Sequence, residues 1–153
     1  MAMQFKSVMS LSNWWLVILA TISLIIMYKD VKIRRVTNLQ CLLILVVVFP
    51  LFLLSGEVIS LFYSLSIVTF GVLLNQFSIL GAGDTKLLAV YSLAISPEYL
   101  WPILFLIICI GGVLSLGYYV YGRLTNIKKS RQRGVPYGIP ICIGSYLGVL
   151  ASL

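Results

Sequence analysis

The sequence contains no histidine and very little acid. Only four of its 153 residues are Asp or Glu, and Asp30 and Asp84 are its only aspartates. The absence of histidine excludes Ser-His-Asp and Cys-His catalytic sites, as well as metal centres with histidine ligands. The three cysteines, Cys41, Cys109 and Cys142, lie in separate apolar segments without a C-x-x-C spacing. We therefore expect buried, inert thiols and neither a zinc site nor a disulfide framework.

Charge of either sign is also scarce. Charged residues make up 10% of the chain, hydrophobic residues 61%, and the mean hydropathy is +1.08. Apolar runs of roughly 17–25 residues are typical of membrane-spanning helices. Six candidate segments share this character: about Leu11–Tyr28, Leu39–Leu54, Val58–Phe77, Gly83–Ser96, Tyr99–Tyr121 and Tyr137–Leu153. No long polar linker divides them, so we predict an all-α polytopic membrane protein with six transmembrane helices in a single domain, residues 1–153.

Two of these segments need a separate argument. The fourth contains Asp84 and Lys86, but the break Ser96-Pro97-Glu98 and the distribution of basic residues both support it. The first could be a signal peptide. It runs directly into Lys29 without a small-x-small cleavage pattern, so we expect a retained helix.

The basic residues predict the orientation. With six helices, ten of the eleven Lys and Arg fall in loops on one side of the membrane, many of them in the polar stretch of residues 122–136, and Glu57 and Glu98 mark the opposite side. By the positive-inside rule the basic face is cytoplasmic and both termini lie outside. The net charge of +7 is then a topology signal and an attraction to anionic membrane lipids. Nucleic acid is not an expected partner, because the basic residues lie in short juxtamembrane loops.

This topology brings the two aspartates to the same membrane face. Asp30 ends the first helix and Asp84 begins the fourth, and these helices run in opposite directions. Two adjacent carboxyl groups share one proton, and such a pair can activate a water molecule without a metal or cofactor. Each aspartate alone has a simpler interpretation: Asp30 could pair with Arg34 at i, i+4, and Asp84 could cap its helix.

The helix dipole predicts which partner holds the proton. The negative C-terminal end of the first helix disfavours a charge on Asp30, whereas the positive N-terminal end of the fourth favours a charge on Asp84. Basic side chains near Asp30 oppose this, but exposed charges are screened by salt. We therefore predict that Asp30 is protonated and that Asp84 is the base.

Small residues mark two further positions. Gly81 and Gly83 precede Asp84, where they could adopt positive φ or let another backbone approach, such as an extended peptide beside Asp84. Gly144 and Gly148 form a small-xxx-small pattern, which we expect to pack within the bundle rather than in a dimer.

Three segments resemble motifs of a known family. Gly81-Ala82-Gly83-Asp84-Thr85-Lys86-Leu87 resembles the G-x-G-D motif of intramembrane aspartyl proteases, and especially that of the prepilin peptidases. The segment Asp30–Asn38 resembles their first catalytic segment, with Thr37 where Pro is common. Pro136-Tyr137-Gly138 is similar to the P-Y-G segment that opens their last helix. The three motifs occur in the family's order across nearly the whole chain.

This resemblance implies a site and a substrate. Asp30 and Asp84 would be the catalytic dyad, and the residues shaping the loops and the substrate site would be Gly81, Gly83, Lys86, Pro136, Tyr137 and Gly138. The partner would be a prepilin or pseudopilin precursor whose short basic leader ends in Gly and precedes an apolar helix. Cleavage would follow that Gly at the cytoplasmic face of the bacterial inner membrane.

Departures from the larger prepilin peptidases refine the expectation. Those proteins carry a methyltransferase region with a cysteine tetrad between their first two helices, where this chain has a short basic loop. It thus resembles the compact, peptidase-only form of tight-adherence (Flp-type) pilus systems, while archaeal preflagellin peptidases share its plan. Two alternatives stay open: a non-catalytic pilin-assembly factor, and a proton-coupled transporter subunit. A proton relay favours acids near the bilayer centre, whereas both aspartates are predicted at one end.

Overall fold

The computed structural model describes residues 2–55, 57–77, 80–124 and 136–153; the predicted basic loop of residues 122–136 lies mostly outside them. The described residues form six helices and no strand, which confirms the all-helical prediction. Each helix corresponds to one predicted apolar segment: α1 Ala2–Ile33, α2 Asn38–Ser55, α3 Val58–Gln76, α4 Ala82–Ser92, α5 Pro97–Leu124 and α6 Gly138–Ser152.

The helices differ in length. Among the described residues, three are long and apolar enough to cross a membrane: α2, α3 and residues 97–123 of α5. The shorter α6 is also apolar. By contrast, α4 has only 11 residues. At about 1.5 Å per residue it measures roughly 16 Å, about half the thickness of the hydrocarbon layer.

The short helix α4 lies inside the bundle, where it packs against α2, α3 and α6. Its buried side chains include Leu87 and Tyr91. Its Ser92 hydroxyl donates to the carbonyl of Ala89, and the Ser64 hydroxyl of α3 donates to the same carbonyl at 2.7 Å. Other helices therefore cover much of the surface of α4, whereas a helix at the edge of the bundle would face lipid.

Hydrogen bonds define one end of the bundle, which carries both aspartates. The Gly138 N–H at the start of α6 donates to Asp30 in the last turn of α1, with a distance of 2.8 Å. The Lys86 Nζ in α4 donates to the Asn38 Oδ1 at the start of α2, at 3.0 Å. The end of α1 and the starts of α2, α4 and α6 thus lie at the same end.

Other hydrogen bonds define the opposite end. The Ser60 hydroxyl in the first turn of α3 donates to the Ile95 carbonyl at 3.3 Å. The Ser96 N–H donates to the hydroxyl of Ser152, the last residue of α6, at 2.8 Å. The helix α4 spans only part of the bundle, and the turn that follows it covers the remaining distance. Residues 82–96 therefore extend from one end of the bundle to the other.

The small-xxx-small pattern of α6 packs within the bundle, as expected. A Cβ atom on Gly144 would overlap the Ile107 side chain of α5, and one on Gly148 would lie 2.9 Å from the Ile95 Cδ1. Both glycines therefore let α6 approach its neighbours closely.

The expectation of buried thiols holds for two of the three cysteines. Cys41 and Cys142 are buried, whereas Cys109 is exposed. The prediction for Cys109 is wrong because α5 presents one side of its long apolar surface outward, and an apolar sequence does not distinguish that side from the core.

Gly144→Ala should lower the stability of the bundle, because its new Cβ overlaps Ile107 and overpacking costs about 1–3 kcal/mol. Gly117→Ala is the matched control in α5, since its Cβ would meet nothing within 4 Å. The control should unfold at the wild-type temperature or above, because Ala favours a helix over Gly. Thermal unfolding in detergent measures both, and equal midpoints for the two variants would contradict this packing.

Candidate active site

Asp30 lies in the last turn of α1 and is only 4% exposed. The helix ends shortly after it, because Arg34 adopts a left-handed conformation with φ of 55°. The Arg34 N–H donates to the Asp30 carbonyl at 2.7 Å, which is a helix-terminating arrangement usually made with glycine. The local backbone thus turns the chain away immediately after the aspartate.

The start of α6 holds the Asp30 carboxylate. The Gly138 N–H donates to its Oδ2 at 2.8 Å, and a Cβ on Gly138 would lie 2.7 Å from that same oxygen. Glycine therefore permits the contact, and the positive end of the α6 dipole favours a carboxylate there. The other two residues of the Pro136-Tyr137-Gly138 motif also contact the bundle. Pro136 is fully buried. Tyr137 packs closely on α5, because a Cβ on Gly111 would lie 2.9 Å from its ring.

Asp84 is the third residue of α4 and is half-buried. The residue that caps α4 is Gly81, and its backbone N–H favours the charged form of the Asp84 carboxyl group. Asp84 lies in the first turn, where the positive end of the helix dipole also favours a carboxylate. It is therefore not the cap residue that its simpler interpretation proposed.

Gly81 and Gly83 differ in whether another part of the chain lies against their backbone. A Cβ on Gly83 would lie 2.7 Å from the Val36 carbonyl oxygen, so the connection between α1 and α2 rests on the first turn of α4. Gly81 is exposed, with φ of −69° and ψ of 142°. Positive φ is found at neither glycine, so that alternative is wrong. A close backbone approach is correct at Gly83, although the approaching backbone is the chain's own.

The connection between α1 and α2 is fixed from both sides. The Thr37 N–H donates to the Gln40 Oε1 at 2.7 Å, and the Gln40 N–H donates to the Thr37 Oγ1 at 3.4 Å. This capping box begins α2, so Thr37 supplies a cap where proline is common in the resembling family. Lys86 is exposed, and its Nζ donates to Asn38, the first residue of α2. This hydrogen bond links α4 to α2.

The charge of Asp30 acts on Asp84 at the end of the bundle that carries both residues. Burial, together with this negative charge, raises the pKa of Asp84 to about 6, while the nearby backbone N–H of Gly81 lowers it. Burial also raises the pKa of Asp30, while the Gly138 N–H and the charge of Arg34 lower it. The contacts of Asp30 therefore stabilise its charged form, and those of Asp84 disfavour a charge.

The prediction made from the helix dipoles, that Asp30 holds the proton, did not include these contacts. It treated the basic residues near Asp30 as strongly screened and contained no hydrogen bond from Gly138. In the folded chain, Arg34 and the Gly138 N–H both favour the charged form of Asp30, so they act against that prediction.

Sequence reasoning missed one polar pair beneath the aspartates. The Tyr91 hydroxyl of α4 hydrogen bonds to the Ser23 hydroxyl of α1, with 2.5 Å between the oxygens, and both side chains are buried. A usable signal was present: Ser23 precedes Asp30 by seven residues, and Tyr91 follows Asp84 by seven. A seven-residue offset places two side chains on the same face of a helix.

Membrane-length apolar helices around a pair of interacting carboxyl groups define a membrane-embedded protein. The sequence matches the type IV leader peptidase family over residues 17–116, and the chain belongs to this family. The matched range includes both aspartates and both motif glycines, whereas Gly138 lies beyond it. Membership implies peptidase activity on prepilin-type substrates. A comparison with curated proteins found no match, and a comparison with solved structures found none either.

Asp30→Asn should lower the pKa of Asp84, because it removes the negative charge that raises it. A pH titration of the protonated carboxyl band by infrared spectroscopy, in a membrane mimetic, measures the midpoint. Glu98→Gln at the start of α5 is the control and should leave the midpoint unchanged. An Asp84 midpoint that is the same with and without the Asp30 charge would show that the two groups do not interact.

Proposed function

We propose that this chain is an aspartyl endopeptidase of the bacterial inner membrane that removes the short leader from type IV pilin-like precursors. One observation carries the proposal: Asp30 and Asp84, from separate helices, lie at the same end of the bundle, where the charge of Asp30 acts on Asp84. Membership of the type IV leader peptidase family supports it.

The contacts of the dyad suggest a role for each aspartate. Asp30, held as an anion by the Gly138 N–H, takes a proton from a water molecule as the water oxygen attacks the scissile carbonyl carbon. Asp84 keeps its proton in the resting state and donates it to the carbonyl oxygen, where negative charge develops. When the resulting tetrahedral intermediate collapses, the C–N bond breaks and the proton on Asp30 passes to the leaving amine. One hydroxyl proton of the intermediate returns to Asp84 as the carbonyl re-forms, which restores the resting state.

Exposed backbone beside Asp84 supports an extended substrate. Gly81 and Ala82 are exposed, whereas Val36 fills the space over Gly83. The leader junction would therefore lie along the Gly81 side of Asp84, where a small residue such as the expected Gly fits beside the backbone. The apolar helix of the precursor would lie in the bilayer next to the bundle, and this confinement would orient the scissile bond.

The short connection after α1 supports a peptidase-only protein. Only residues 34–37 separate α1 from α2, and both Val36 and Thr37 are held by contacts. This interval has no room for a methyltransferase region, so we propose a single domain of the compact Flp-type, without N-methylation activity.

Asp30→Asn and Asp84→Asn should each reduce precursor cleavage by roughly 10²–10⁴-fold, because an amide can neither accept nor share the proton. The double variant should be no worse than either single one, since the residues act as one unit. Co-expression with short-leader pilin precursors, read by the mass of the product, measures cleavage. Glu57→Gln and Glu98→Gln are matched controls that should cleave normally.

The same experiment separates the peptidase from an assembly factor. Unprocessed precursor that still assembles with the wild-type chain would favour a non-catalytic role. Substantial cleavage by Asp30→Asn or Asp84→Asn would exclude the two-aspartate mechanism.

We further propose six membrane crossings with both termini outside. The support is that residues 82–96 extend between the two ends of the bundle, and that Lys86 lies at the same end as the aspartates. By the positive-inside rule this end is cytoplasmic.

Cysteine labelling in intact cells should find positions near Lys32 and Asn75 protected from impermeant reagents. Positions near Glu57, Glu98 and Leu153 should be labelled. The basis is the ten-to-one distribution of Lys and Arg between the two sides. A protected C-terminus, with labelling restored after permeabilisation, would exclude the six-crossing arrangement.

A further inference from the structure

A buried hydrogen bond joins α1 and α4 below the aspartates. Tyr91 is fully buried, and its hydroxyl oxygen lies 2.5 Å from the Ser23 Oγ. The single proton of Ser23 is used elsewhere, because its hydroxyl donates to the Leu19 carbonyl at 2.6 Å. The Tyr91 O–H is therefore the donor to Ser23.

The sequence positions of Ser23 and Tyr91 relate their hydrogen bond to Asp30 and Asp84. Ser23 lies seven residues before Asp30, and Tyr91 lies seven residues after Asp84. Seven residues are about two helical turns, or roughly 10.5 Å, and they return to the same helix face. Because α1 and α4 run in opposite directions, both members of the deeper pair lie below their aspartates by the same distance. The register that joins Ser23 to Tyr91 is thus the register that places Asp30 opposite Asp84.

The bond is sensitive to that register. A buried phenol needs a hydrogen-bond partner, and its O–H must keep the acceptor within about 3 Å. A shift of α1 along α4 by one helical turn, about 5.4 Å, would separate the two hydroxyls and the two carboxyl groups together. Apolar contacts in general tolerate small shifts better, because they are not directional.

We propose that Ser23 and Tyr91 are positioning residues that hold α1 and α4 in the register that places Asp30 opposite Asp84. This inference rests on the proposed peptidase function. It adds two residues to the site that touch neither the water nor the scissile bond.

Tyr91→Phe tests this role, because it removes the bond with little change of volume and leaves Ser23 bonded to the Leu19 carbonyl. We expect kcat for precursor cleavage to fall roughly 10- to 100-fold with KM unchanged, as for a misplaced catalytic group.

Three further variants test the same bond. Ser23→Ala should show the same fall in kcat, and the double variant should be no worse than either single one. Ser23→Thr should retain activity, because it keeps the hydroxyl. The control Tyr63→Phe removes a tyrosine hydroxyl from α3 and should cleave at the wild-type rate.

A measurement without substrate separates this inference from the proposed function. With Tyr91 intact, Asp30→Asn should lower the pKa of Asp84. In the Tyr91→Phe background the shift should be smaller, because the carboxyl groups are no longer held opposite each other. An undiminished shift, or wild-type kcat in Tyr91→Phe, would overturn the positioning role. If Tyr91→Phe does not accumulate, Ser23→Ala carries the same two measurements. Failure of the proposed function would appear instead as cleavage retained by Asp84→Asn.

Discussion

The placement of two carboxyl groups inside a nearly uncharged bundle is the constraint on which the rest of the structure depends. A buried carboxylate is costly unless it receives hydrogen bonds, and Asp30 receives one from the Gly138 N–H. Asp84 lies near the backbone N–H of Gly81, which favours its charged form. Both glycines stand at helix starts, Gly138 at that of α6 and Gly81 at that of α4. The bundle therefore brings helix N-termini to the end that carries the acids, where their dipoles add to the stabilisation.

The arrangement of the helices followed from the sequence because apolar runs and breaks are local signals. Each predicted segment corresponds to a helix, and α2 and α3 match their predicted bounds within a residue or two. The placement of Asp30 and Asp84 at the same end of the bundle also followed, since it needs only the direction of each helix. The small residues of α6 were predictable for a related reason: in an apolar helix, a glycine pair four apart has few uses except close packing.

Features set by contacts between distant segments could not be predicted in this way. Val36 resting on Gly83, and Gly138 donating to Asp30, depend on how α1, α4 and α6 pack. Without those contacts, the helix-dipole argument omitted the N–H donated to Asp30, and the glycines were assigned a conformational freedom that they do not use. The exposure of Cys109 was missed for the same reason, because hydropathy does not identify which side of α5 faces outward.

The contact between Val36 and Gly83 also determines where the first connection can lengthen. Residues added next to Arg34, where the backbone already leaves the helix, would loop outward and leave Val36 on α4. Residues added after Val36 would instead separate it from the capping box of Thr37 and Gln40 that starts α2. An insertion of any size, including an entire domain, would thus be compatible with this active-site architecture at the first position and disruptive at the second.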